Sequence, residues 1–289
     1  MGNSKEIQWF PGHMAKALRQ IREQLKLVDL VIEVLDARIP ASSKNPDLDS
    51  ITQGKLRLLA LAKADLADPA MTKKWIRAYE SSGYHVIAID ARKKQDIKAL
   101  TKLIMKVAEE KKARDLARGI KNRPVRALVA GIPNVGKSTL INSLSNRSVA
   151  KTGNKPGVTK GQQWIKTSKG VELLDTPGIL WPKFVSDEQG RHLAMIGTMP
   201  DSLELIPAAR MAADIIRFCL GICPDRLAAD YGIDQSDGEE EWLIKAAQSL
   251  HALKSGGEYD TDKAAGIIVD RFRKGNIGSV TLEEAPANE

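Results

Sequence analysis

Two rhythms of apolar residues alternate through the first part of this 289-residue chain. Short, nearly unbroken apolar runs at 28–35, 56–61, 85–89 and 126–130 read as buried strands. Between them the spacing turns helical. After Pro11, which can start a helix but not continue one, Met14, Leu18, Ile21 and Leu25 recur on one face, with Lys16, Arg19, Arg22 and Lys26 on others. Residues 70–81 read as a helix, 95–118 as one long basic helix, and 139–144 as the start of another. Residues 41–54 read as a polar loop. Two strands at 163–167 and 171–174, joined by the turn signal Ser168-Lys169-Gly170, read as a hairpin. Strands alternating with helices predict an α/β fold, with a mostly parallel sheet and helices on both faces. From 186 onward only helical spacing remains, at 187–198, 204–221, 224–230, 239–254 and 260–273. The expected organisation is an α/β domain at 1–185, with an N-terminal amphipathic helix, and a small all-α domain at 186–289. The tail from Ser279 is expected to be loosely ordered.

Charge sharpens that division. Residues 1–185 carry 34 Lys and Arg against 17 Asp and Glu, a net +17, whereas residues 186–289 carry 10 against 19, a net −9. The basic part suits a polyanion such as nucleic acid. No apolar run reaches the roughly 18 residues needed to cross a bilayer. The polar N-terminus lacks a signal-peptide core, and Glu6 stands where a myristoylation signal requires Ser or Thr. A cytoplasmic protein without a membrane partner is expected. Cys219 and Cys223, four apart in an apolar helical pattern, read as core thiols.

Candidate chemistry centres on Gly131-Ile132-Pro133-Asn134-Val135-Gly136-Lys137-Ser138-Thr139, which fits the phosphate-loop pattern G-x-x-x-x-G-K-[ST] between a strand and a helix. Its glycines let backbone N–H groups turn toward phosphates, and the helix N-terminus adds partial positive charge. Lys137 is placed to reach the β- and γ-phosphates, and Ser138 to ligate Mg²⁺. Asp175-Thr176-Pro177-Gly178 ends a strand, so Asp175 can hold the metal through water and the Gly178 N–H can approach a γ-phosphate. Thr159, in a loop rich in Gly and basic residues, can supply a second hydroxyl to the metal. Lys63-Ala64-Asp65, at another strand end, resembles the guanine-reading motif Asn-Lys-x-Asp, whose carboxylate accepts hydrogens from guanine N1 and N2. Ala62 occupies the Asn position, which predicts weakened affinity with guanine selectivity kept by Asp65. Asp90-Ala91-Arg92 is a weak counterpart of the motif that usually follows the third strand.

The base motif precedes the phosphate loop, the reverse of the conventional order, so the chain resembles a circularly permuted P-loop GTPase. With Trp9-Phe10-Pro11-Gly12-His13-Met14-Ala15-Lys16-Ala17 and Asp36-Ala37-Arg38-Ile39-Pro40, it closely resembles the ribosome biogenesis GTPase A (YlqF) family, of the TrmE–Era-like class. The resemblance covers the whole permuted domain. It implies GTP and GDP binding with Mg²⁺, and hydrolysis that is slow alone and stimulated by the ribosomal particle. The implied partners are the precursor of the large (50S) ribosomal subunit, 23S rRNA and ribosomal proteins, met by a free monomer.

The residue after Gly178, where many GTPases carry a water-orienting Gln, is Ile179. A lone His at a helix start is ordinarily structural, but the resemblance assigns water activation to His13. It also gives Asn134 the holding of K⁺ near the phosphates, the plainer reading being a residue that stabilises the turn. The helical domain's basic residues Arg271, Arg273 and Lys274 either form a local RNA patch or leave the RNA to the first domain. The competing function is an RNA-binding module in which nucleotide is only a structural or switching ligand.

Overall fold

Seven consecutive buried positions, Leu30–Asp36, form β1 at the centre of the sheet. The structure is a computed structural model and describes residues 12–120, 123–146, 164–167, 170–181, 184–199 and 206–286, the side chains of 12–17, 110 and 114 excepted. β2 (Leu56–Ala62), β3 (His85–Ile89), β4 (Val125–Gly131), β5 (Trp164–Lys166) and β6 (Val171–Asp175) complete a six-stranded sheet in the order β3-β2-β1-β4-β6-β5. Only β5 is antiparallel, paired with β6 as the hairpin signal predicts.

The strands alternate side chains between two apolar layers. On one face Ile21 and Leu25, from α1 (Gly12–Gln24) and the turn after it, pack on Val31, Leu128, Leu174 and Ile179. Beside them Trp75 and Tyr79 of α3 (Pro69–Ser81) pack on Leu59 and Leu61. On the opposite face α4 (Lys94–Val107) and α6 (Lys137–Ser145) cover Ile32, Ala60 and Val129. That layer continues through Leu180, Trp181 and Phe184 into α7 (Asp187–Met195), α8 (Ala208–Ile222), α9 (Pro224–Tyr231), α10 (Glu239–Ser249) and α11 (Thr261–Arg273). α7 begins after Ser186, whose hydroxyl caps it.

Three expectations are corrected. The loop at 41–54 contains α2 (Pro46–Ile51), capped by the Asn45 side chain with Pro46 in its first turn, a start signal readable in the sequence. The single helix expected at 95–118 divides at the buried Ala108 into α4 and α5 (Glu109–Ala117). The apolar stripe of Leu100, Ile104 and Val107 ends there, and α5 is held by ion pairs of Lys111 with Asp29 and Asp115.

The third correction concerns the C-terminal tail, which is an ordered strap. Val280 donates its N–H to the Leu66 carbonyl at 3.0 Å and Leu282 donates to the Arg38 carbonyl at 2.8 Å. The Glu283 carboxylate accepts the Ala41 and Ser42 N–H groups at 2.7 and 3.0 Å, and the Trp75 indole donates to the Glu283 carbonyl. Apolar Val280 and Leu282, both buried, supply the driving force that a polar-looking tail conceals.

Candidate nucleotide site

In a parallel sheet wound on both faces, ligands bind at the carboxyl ends of the strands. Here the ends of β1, β2, β3, β4 and β6 deliver Asp36, Lys63, Asp90, the phosphate loop and Asp175 to that one edge. The loop's backbone explains its residues. Gly131 has φ +151°, and a Cβ there would sit 2.4 Å from the Val34 carbonyl oxygen on the neighbouring strand. Gly136 caps α6 at φ +108°, and Asn134 is left-handed at φ 59°. Val135 is buried beneath the loop, while Ser138 and Thr139 lie half-buried in the first turn of α6.

The Lys137 amine donates to the Gly131 and Ile132 carbonyls at 3.1 and 2.7 Å. Burial lowers its pKa to about 8, partly offset by the Asp175 charge. Burial raises the Asp175 pKa against the pull of Lys137. One oxygen of this carboxylate, Oδ1, is buried without a hydrogen-bond partner. A buried acceptor of that kind fits a hydrated cation beside Ser138. Gly178 closes on the loop: a Cβ there would lie 2.6 Å from Pro133 Cα and 3.0 Å from the Lys137 amine. Ile179 is wholly buried, its N–H bonded to the Gly131 carbonyl at 3.2 Å and its side chain turned into the layer under α1. Position 179 therefore takes no part in orienting water.

The Lys63–Asp65 loop is tied to the phosphate loop without an Asn at position 62. Ala62 is buried at the end of β2, and Lys63, left-handed at φ 56°, spans the gap. Its amine donates to the Asn134 carbonyl at 2.8 Å and pairs with Asp36 at 3.1 Å. Burial lowers the Lys63 pKa, against the raising effect of Asp36. Burial alone would raise the Asp36 pKa, but Arg38 and Lys63 hold it well below the usual carboxylate range. Asp65 stands at the rim, paired with Arg92 at 2.5 Å.

Two groups were not assigned from sequence. Asp36-Ala37-Arg38 and Asp90-Ala91-Arg92 fold alike: each Arg donates its backbone N–H and Nε to one Asp oxygen, at 2.9 to 3.1 Å, and Nη2 to the other. The repeated Asp-Ala-Arg at two strand ends was the available signal. Arg92 then orients Asp65, while Arg38 reaches the Phe272 and Arg273 carbonyls at the end of α11. The second group is the strap, whose Ser279 hydroxyl donates to the Asp65 carbonyl at 3.4 Å.

Asn134 also reaches the helical region. Its amide donates to the Gly197 carbonyl at 2.6 Å, just beyond α7, where Arg273 in turn bonds the Met195 and Ala194 carbonyls. Arg271 bonds the Tyr231 hydroxyl and Lys274 pairs with Asp270. Arg271 and Arg273 thus bond within the fold, while Lys274 stays exposed beside Asp270. The backbone of His13 lies in the first turn of α1, and its side chain is outside the described residues. Thr159 also lies outside them.

A phosphate loop, a strand-end carboxylate with a buried unbonded oxygen, a closing glycine and a Lys-x-Asp at another strand end share one sheet edge, the arrangement of a P-loop GTPase, circularly permuted because Lys63–Asp65 precedes the phosphate loop. The family described as 50S ribosome-binding GTPase matches residues 126–224. Ribosome biogenesis GTPase A of Bacillus cereus is 45% identical over 96% of this chain and 93% of its own. Mitochondrial ribosome-associated GTPase 1 of Xenopus tropicalis is 32% identical over 98% and 96%. The crystal structure of GNP-bound YlqF from T. maritima superposes with a TM-score of 0.66 at 30% identity, over 94% of this chain and all of that one. The chain belongs to the ribosome biogenesis GTPase A (YlqF) family.

Proposed function

We propose that this GTPase assists assembly of the large ribosomal subunit, binds 23S rRNA and ribosomal proteins on the 50S precursor, and hydrolyses GTP slowly until the particle stimulates it. The observation that carries this reading is the burial of Ile179 beside the phosphate loop that Lys137 closes. The site can hold GTP but has no water-orienting side chain after Gly178, so stimulation has to come from elsewhere. The net +17 of residues 1–185 supports RNA as the partner, and residues 186–289 act as a second unit. The protein works as a cytoplasmic monomer when free; no helix of the described residues is long and apolar enough to cross a membrane.

In this reading Asp65 and Lys63 select guanine, and Asn134, Val135, Gly136, Lys137, Ser138, Thr139 and Gly178 hold the phosphates. Ser138, Asp175 and Thr159 hold Mg²⁺, which supplies neutralisation of charge on the phosphate oxygens. Asn134 helps hold K⁺. His13 positions the attacking water: its helix is anchored on Ile179 through Ile21 and Leu25, which carries α1 beside the Asp175–Gly178 segment. His13→Ala tests this. Turnover stimulated by large subunits should fall while GTP affinity stays within about twofold of wild type; unchanged stimulated turnover removes His13 from the mechanism.

A further inference from the structure

The exposed face of α4 bears a regular row of cations. Lys94, Lys98, Lys102 and Lys106 recur every four residues, and all four are exposed. They lie opposite Leu100, Ile104 and Val107, which bury the other face. At 1.5 Å rise per residue the row spans about 18 Å and drifts only about 40° per step. Among the described residues none of the four has an acidic partner. The one acid of α4, Asp96, is turned away to accept the Asp90 N–H at 2.8 Å.

Such a row opposes helix formation. Like charges four apart repel, and a merely solubilising face would mix signs. Lys is also depleted at protein–protein interfaces, where aromatic residues dominate, and the exposed face of α4 has none. A repeating phosphate backbone answers both points, since each lysine can neutralise one phosphate. The row starts beside Arg92, and Lys94 and Lys98 also rim a cavity of about 460 Å³ between α4, α6 and the β5–β6 hairpin.

We propose that α4 is an RNA-docking edge of the GTPase domain, its lysine row following a run of backbone phosphates. This rests on the RNA-binding reading above. The test is binding to protein-free RNA extracted from large ribosomal subunits, measured between about 50 and 200 mM KCl. It compares wild type, the quadruple variant Lys94→Gln/Lys98→Gln/Lys102→Gln/Lys106→Gln, and a control, Lys73→Gln/Lys74→Gln/Arg77→Gln, on the exposed side of α3 across the sheet. The α4 variant should lose at least tenfold in affinity and about 3 units of slope in log K against log salt, with GDP binding unchanged. The α3 control should lose less than about 1 unit of slope. Equal losses in both variants, or RNA binding that survives the α4 substitutions, overturn the assignment to α4 alone. Absence of RNA binding by wild type overturns the RNA reading as well.

Discussion

Asp36→Asn removes the one charge that the buried Arg38 and the half-buried Lys63 share while leaving side-chain shape almost unchanged. The Asp36 carboxylate accepts Arg38 Nε and Nη2, each at 2.9 Å, and pairs with the Lys63 amine at 3.1 Å. Asp36 and Arg38 are 0% and 1% exposed, so water cannot take over the lost Arg38 contacts. Removing one partner of a buried pair costs about 3–5 kcal/mol, because the remaining charge stays uncompensated. Unfolding entropy near 2.1 cal/mol/K per residue gives about 0.6 kcal/mol/K for a chain of this length. Scanning calorimetry of the nucleotide-free protein at pH 7 should therefore place the variant's Tm about 5–8 °C below wild type.

The pH dependence has a definite sign. The native pKa of Asp36 is depressed, so its contribution is complete above the unfolded carboxylate value and is lost as pH falls through the native one. The gap between the two proteins should stay constant from about pH 5 to 8 and narrow only below about pH 4. A Tm change under about 1 °C, or a gap that grows on acidification, would refute the assignment of this carboxylate as the shared counter-ion.

Three further outcomes follow from other parts of the site. Ile179→Gln should not raise intrinsic phosphate release, since the side chain points into the layer under α1; burying the amide should lower Tm by about 2–5 °C, and a gain in hydrolysis contradicts the buried placement. Ending the chain at Gly278 removes the bonds of Ser279, Val280 and Leu282 to the loops carrying Asp65 and Arg38, so a fluorescent GDP should dissociate several-fold faster; an unchanged rate would free the base site from the strap. Lys137, lowered to about 8 by burial, should regain its proton beside phosphates, so above pH 8 GDP binding should take up a proton and weaken with rising pH. Calorimetry in buffers of differing ionisation enthalpy reads that proton, and a buffer-independent heat at pH 9 contradicts it.

What was legible in the sequence was local. The strands of the sheet are short apolar runs, and the phosphate loop, Asp175–Gly178 and Lys63–Asp65 are contiguous motifs whose residues follow from turn geometry. What was not legible came from pairings across long separations. Nothing near Lys63 in sequence says that its amine reaches Asn134, or that this replaces the Asn missing at position 62. Arg38 contacts residues more than two hundred positions away, and the strap's order depends on surfaces built by β1, β2 and α3. The helix break at Ala108 reflects the end of a core layer, which charge composition does not mark.

These long-range contacts join the phosphate loop to the helical region. Asn134 joins the phosphate loop to Gly197, and Asp36 and Arg38 continue from Lys63 to the end of α11. Ile179, Leu180 and Trp181, all buried, continue from Gly178 into the same packed region.

The phosphate loop is built to hold GTP, and its hydrolysis is proposed to depend on the ribosomal particle. Phosphate release at saturating GTP, titrated with purified large ribosomal subunits, tests it directly. A rate that is slow for the protein alone and climbs to a plateau at least tenfold higher as subunits saturate it is the predicted result. A rate that is the same with and without subunits would rule out dependence on the particle.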